Sequence, residues 1–208
     1  MVRILTLASG AGSNFQRLLE VHADQPFQGQ FVGLIVDRPN TGAAEIANSS
    51  SVPVTLVEYR AYEQRSQFED FLLQAIQSYE PDLIVGAGFM RILPEAIIQR
   101  YENRIMNLHP SLLPAFPGLH PQRQALQRGV KVSGCTVHFM DSGVDTGPII
   151  AQSVVQIPEG CDEQTLINLI RIEEHELLPE AVRLFCENRL AVQNGVVHVK
   201  RAGPGTPG

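Results

Sequence analysis

The chain reads as an α/β protein: a single domain built on an open, twisted sheet, mostly parallel, with an antiparallel C-terminal part and helices on both faces. Three observations predict this. Short apolar runs alternate with segments of helical spacing through the first half, the order that generates a parallel sheet. The first strand runs directly into Gly10-Ala11-Gly12, a turn that opens a helix. Two later strand-like runs, Val132 to Met140 and Ile149 to Ile157, flank only Asp141 to Pro148. So short a connection joins antiparallel neighbours.

The elements follow in order. Val2 to Leu7 is the first strand, and Phe15, Leu18 and Leu19 carry the spacing of the first helix, with Ser13 or Asn14 as its cap. Phe31 to Val36 is the second strand, ending in the turn Asp37-Arg38-Pro39-Asn40. Thr41 to Ser49 reads as a short helix and Val54 to Val57 as the third strand. Phe68, Phe71, Leu72, Ala75 and Ile76 keep helical spacing and stop before Pro81. Leu83 to Val85, closed by Gly86 and Gly88, is the fourth strand, and Arg104 to Asn107 the fifth. Right-handed crossovers gather the loops after such strands along one sheet edge, where open sheets bind ligands.

Beyond His109 a proline-rich loop, Pro110 to Pro121, leads to a short helix over Gln122 to Gln127. Leu166, Leu169, Ile170 and Leu177 lie on one face of a long helix expected to bend near Pro179. Leu190 to Lys200 has the pattern of a hairpin turning at Asn194-Gly195. The expected division is one domain over residues 1–200 and a flexible Gly/Pro tail over 201–208.

Composition narrows the function. Apolar residues make up 44% of the 208, enough for a sizeable core, and charged residues 18%, too few for a disordered chain or a coiled coil. A net charge of −6 argues against a nucleic-acid partner, although an anionic small molecule needs only a locally positive pocket. Cys135, Cys161 and Cys186 are odd in number and form no CxxC pair, so neither a disulfide framework nor a cysteine zinc site is indicated. The apolar run Ile4 to Ala8 is too short to span a membrane and lacks a signal-peptide cleavage pattern. No membrane partner is expected, and the expected location is the cytoplasm.

Two places carry chemistry. Glycines at 10 and 12 before a helix let backbone N–H groups approach an anion, and Ser13 and Asn14 add donors. The loop lacks the GK[ST] of a Walker motif, and Phe15 stands at the third glycine position of a dinucleotide fingerprint. Asp37 after the second strand mimics a ribose-binding acid, so a nicotinamide site stays open, as does a plain tight turn. The second place is Asn107, His109 and Asp145. Alternation turns Asn107 and His109 to one strand face, and Pro110 favours extended geometry at His109. An amide and a protonated ring can stabilise an oxyanion, while a carboxylate can hold the ring and take up a proton. Taken singly, His109 also reads as a structural histidine and Asp145 as a turn residue. No G-x-S-x-G or comparable nucleophile competes, which favours direct transfer between two substrates. His109, His120 and His138 lack the spacing of a metal site, so no metal is expected.

Five motifs then occur in order: Ser9 to Asn14, Ala87 to Leu93, Asn107 to Pro114, Phe116 to His120, and Asp141 to Ile150. Together they resemble the phosphoribosylglycinamide formyltransferases, folate-dependent enzymes of purine synthesis with a Rossmann-like formyltransferase fold. The resemblance implies formyl transfer from 10-formyltetrahydrofolate, as co-substrate, to the amine of glycinamide ribonucleotide. It gives the chemistry to Asn107, His109 and Asp145, and the ribonucleotide phosphate to Gly12, Ser13 and Asn14. Pro110, Gly118 and Glu174 match further ribonucleotide positions. Arg65, Met90, Arg91, Ile92, Leu93, Asn107 and Asp141 match the folate site, Arg65 and Arg91 offering charge for its glutamate tail. The implied partners are small molecules alone, for a monomer or homodimer. Ala11 departs from many relatives without touching the backbone donors. Three rivals remain: a methionyl-tRNA formyltransferase, expected to carry an added C-terminal domain; a formyltetrahydrofolate hydrolase, expected to carry an N-terminal regulatory one; and a silent nucleotide-binding module.

Overall fold

Ile4, Leu5, Leu7 and Ala8 are all buried along β1 (Val2–Ala8), and a strand covered on both faces is what a central parallel strand requires. The computed structural model describes residues 1–201, in two compact units that divide between Leu108 and His109. In the first unit β1 is followed by α1 (Ser13–Asp24), β2 (Gly29–Val36), α2 (Gly42–Ser49), β3 (Val54–Leu56), α3 (Arg65–Ser78), β4 (Leu83–Gly86) and α4 (Glu95–Arg100). The strand β5 (Ile105–His109) ends on the first residue of the second unit. The first unit's strands lie in the order β3-β2-β1-β4-β5, every adjacent pair parallel. Phe15 of α1 and Ala43 and Ala47 of α2 close over Ala8, Leu34 and Val36 in one buried cluster. Each large side chain so buried contributes roughly 1.5–3 kcal/mol.

The second unit carries α5 (Pro121–Arg128), β6 (Val132–Phe139), β7 (Ile149–Gln156), α6 (Glu163–Cys186), β8 (Leu190–Gln193) and β9 (Val196–Val199). Strands β6 and β7 are antiparallel, with α6 packed against both. The hairpin β8–β9 turns through Asn194 and Gly195, both at positive φ, as a two-residue turn demands. An α/β fold, mostly parallel with an antiparallel C-terminal part, is therefore what the sequence forms.

Several boundaries differ from expectation. The first helix is capped by Gly12, with no side-chain cap bond, and not by Ser13 or Asn14. Helix α4 escapes sequence reading because it has six residues and one apolar pair, Ile97 and Ile98. Helix α6 continues past Pro179 to Cys186, so the proline expected to bend the helix does not end it. Proline costs about 3 kcal/mol there, but Leu178, Pro179, Ala181 and Val182 are all buried, and that burial outweighs one lost hydrogen bond. The expected tail over 201–208 lies outside the described residues beyond Arg201.

Candidate active site

Gly12 turns the chain from β1 into α1. Its φ of +80° suits glycine, and a Cβ there would stand 2.6 Å from Ala43 Cα. Because α1 starts at Ser13, both Ser13 and Asn14 lie in its first turn, half-buried. First-turn N–H groups have no intrahelical acceptor, and the helix dipole is positive there. The local geometry suits a phosphate.

Asp37, at the end of β2, does not serve as a ribose acid. Its carboxylate is fully buried and Arg91 Nε donates to Oδ2 at 2.6 Å. A nucleoside would have to displace that ion pair, which removes the dinucleotide alternative. The segment 88–93 is held at a second point, where Met90 N–H donates to Ser9 Oγ at 2.9 Å and Ser9 N–H to Gly88 O at 3.1 Å. On either side of Arg91, Met90 and Ile92 are 66% and 67% exposed, large apolar side chains that are mostly uncovered, whereas Leu93 packs into the core. Arg65, at the start of α3, pairs with Glu69 at 2.6 Å. Both arginines expected to meet a carboxylate tail thus already face carboxylates. Asn107 is the register partner of Gly86, and a Cβ at Gly86 would approach its Oδ1 to 2.9 Å. The missing side chain makes room for the carboxamide.

In the second unit His109 is buried at the end of β5. Its Nε2 lies 2.9 Å from the Phe116 carbonyl, which can only accept, so Nε2 carries a proton. Its Nδ1 stands 3.2 Å from Asp145 Oδ2. Both ring nitrogens face acceptors, and a ring protonated on both satisfies both. Asp145 is held in the left-handed region at φ +55°, and its Oδ2 also accepts from Gly118 N–H at 2.8 Å. Its Oδ1 lies 3.7 Å from His138 Nε2.

His138 lies on β6, and its Nδ1 donates to the Phe139 carbonyl at 2.9 Å. Burial pulls its pKa below the usual 6.5, against the opposing pull of the Phe139 carbonyl and Asp145. Asp145 therefore sits between two imidazoles. Asp141 Oδ1 accepts from Gly143 N–H at 3.1 Å and Thr146 Oγ at 2.7 Å, shaping the loop that presents Asp145. The loop after His109 is pinned by Thr136, whose Oγ donates to Ser111 O at 2.6 Å and accepts from Leu113 N–H at 3.0 Å. Gln152 Nε2 donates to the same Oγ at 3.0 Å. Pro110 follows His109 directly, half-buried, and Glu174 is half-buried on α6.

His109 lies beside Asp145, the pair that sequence reading groups, and Asp145 in turn accepts from Gly118 N–H, which sequence reading does not group with them. Missed were His138 as a neighbour of Asp145, Thr136 as the loop's fastening, and the Asp37–Arg91 pair. The only signal available was that Thr136 and His138 are polar and two apart on β6, which puts them on one strand face but names no partner for either. His120 stands exposed as the cap of α5, at φ +56°. Among the described residues no group of three or more His, Cys, Asp or Glu side chains is arranged to hold a metal.

Comparison with known proteins sharpens these observations. The profile of the family described as "Formyl transferase" matches residues 2–182. A phosphoribosylglycinamide formyltransferase of Mycobacterium tuberculosis is 44% identical over 190 residues, 91% of this chain and 87% of that protein. One from Bacillus subtilis is 37% identical over 183 residues, covering 88% and 94%. The crystal structure of glycinamide ribonucleotide transformylase 1 from Symbiobacterium toebii superposes with a TM-score of 0.93 at 43% identity, covering 97% of this chain and 95% of that one.

Proposed function

The chain belongs to the formyl transferase family, and on that premise we propose that it transfers a formyl group from 10-formyltetrahydrofolate to glycinamide ribonucleotide, in purine biosynthesis. The amine nitrogen attacks the formyl carbon, and the carbonyl oxygen becomes an oxyanion. Asn107 and His109 supply its donors, Asn107 through its amide N–H and His109 through Nδ1–H, since Nε2 is committed to Phe116. Asp145 holds Nδ1–H in the resting site. As Asp145 takes the proton of the attacking amine, its pull on Nδ1–H falls and that donor turns to the oxyanion. Collapse breaks the bond from carbon to N10 of the folate, which leaves with the proton that the amine gave up.

The remaining assignments belong to the same reading. Gly12, Ser13 and Asn14 take the ribonucleotide phosphate at the start of α1, and Pro110, Gly118 and Glu174 touch the rest of that substrate. Met90, Ile92 and the main chain of Arg91 and Leu93 receive the folate ring, with Asn107, Asp141 and Arg65 beside it. Residues 1–200 work as one catalytic domain, a reading supported by a family match that spans both compact units. The protein acts on small molecules, without nucleic acid, as a monomer or homodimer. A cytoplasmic location accords with three cysteines that stand as free thiols. No described helix is long and apolar enough to cross a membrane.

The observation that carries the reading is the 3.2 Å approach of His109 and Asp145, the two ionisable groups that the transfer needs. The test is consumption of 10-formyltetrahydrofolate by purified protein, with and without glycinamide ribonucleotide. We expect turnover only with the ribonucleotide and one tetrahydrofolate per formylated product. Turnover with water alone would assign a hydrolase instead, and binding without turnover a silent module.

A further inference from the structure

We propose that Asp37 is a positioning residue for the folate co-substrate, acting through Arg91 and Tyr59. This rests on the placement of folate against residues 90–93. Three contacts close a ring among these side chains. Asp37 Oδ2 accepts from Arg91 Nε at 2.6 Å, and the Arg91 guanidinium carbon lies 4.0 Å from the centre of the Tyr59 ring. Tyr59 N–H in turn donates to the main-chain carbonyl of Asp37 at 3.0 Å. Tyr59 packs edge-on against Phe68 of α3, with ring centres 5.0 Å apart, so the ring is tied to the helix whose first residue is Arg65.

Burial gives the arrangement its direction. The Asp37 side chain is fully buried, whereas that of Arg91 is 31% exposed. A carboxylate without water keeps its counter-ion, so Arg91 is drawn inward and its neighbours Met90 and Ile92 are turned outward. Asp37 holds the edge of the planar guanidinium, and the Tyr59 ring covers one of its faces. With the Ser9 bond at Met90, the segment is fastened at two adjacent residues while its apolar side chains stay uncovered. A surface ordered before its ligand arrives loses less entropy on binding, so affinity falls when the fastening is cut. Arg91 works here as a strap and not as a free charge for the folate tail.

The test is titration of the whole protein with tetrahydrofolate, followed by steady-state kinetics. Asp37→Asn is expected to raise the tetrahydrofolate Kd and the folate KM by about tenfold, and Tyr59→Leu by about threefold. The ribonucleotide KM and the turnover at saturating folate should stay within about twofold of the parent. If Asp37→Asn does not fold, Tyr59→Leu carries the same test. Unchanged folate constants, or equal rises for both substrates, would overturn the proposal. Ile92→Asp separates the two levels: if it leaves tetrahydrofolate binding intact, the folate placement fails and this proposal with it. If it weakens binding while Asp37→Asn does not, only the role of Asp37 is lost.

Discussion

At the scale of single residues, burial decides chemistry more than identity does. His109 and His138 both approach Asp145, yet only His109 also has its second nitrogen on a neighbouring loop, at Phe116. Sequence spacing could give Asn107 and His109 because both lie on one strand. Asp145 is 36 positions further on, and its approach depends on a left-handed turn that no local pattern specifies. The cysteines show the same rule. Burial first, then Glu174 and Glu173, pushes the Cys135 thiol up to about 12, and Cys186 is buried as well, while Cys161 is partly exposed. A colorimetric disulfide reagent at pH 8 should therefore label one thiol quickly in the native protein and all three after denaturation. Two fast thiols would contradict this burial pattern.

Among the elements, the turns that leave strands carry the most information. Gly12 is legible in the sequence as a glycine-loop position, but the close approach of Ala43 is not, since it comes from α2. Gly12→Ala should raise the ribonucleotide KM with little change in kcat and lower stability by roughly 1–3 kcal/mol, through left-handed strain and contact with Ala43. An unchanged KM would move the phosphate elsewhere. Thr136 fastens the loop after β5 with hydrogen bonds to Ser111 and Leu113 that no alternation of apolar residues announces. Thr136→Val leaves buried partners unsatisfied and should cost about 2–4 kcal/mol in urea unfolding. A loss below about 0.5 kcal/mol would show that water replaces those bonds. Helix α3 begins at Arg65, before the apolar spacing starts, because Gln64 and Gln67 close a capping box that sequence reading passed over.

For the whole molecule, stability should respond to pH through His138. Its folded pKa lies below 6.5, so the unfolded chain binds the proton more readily. Its contribution is complete above pH 6.5 and is lost as pH falls from there through the folded value. His138→Gln should accordingly show a smaller drop in Tm between pH 7.5 and pH 5 than the parent. An identical drop would mean that the ring is not held neutral. The parallel half of the fold was legible because fully buried strands read as continuous apolar runs, as in Leu83–Gly86. The rest depends on burial around polar groups: by position alone Asp37 leaves a ribose-binding acid open, and its burial against Arg91 closes that alternative. The central claim is that Asp145 joins His109 in moving the proton of formyl transfer, and Asp145→Asn tests it most directly. The amide keeps the side chain's shape and its acceptor for Gly118 but removes charge and base. The account predicts that kcat falls by about 10²–10⁴ while the ribonucleotide Kd stays within about threefold. A kcat within tenfold of the parent, or an equal loss in binding, would contradict it.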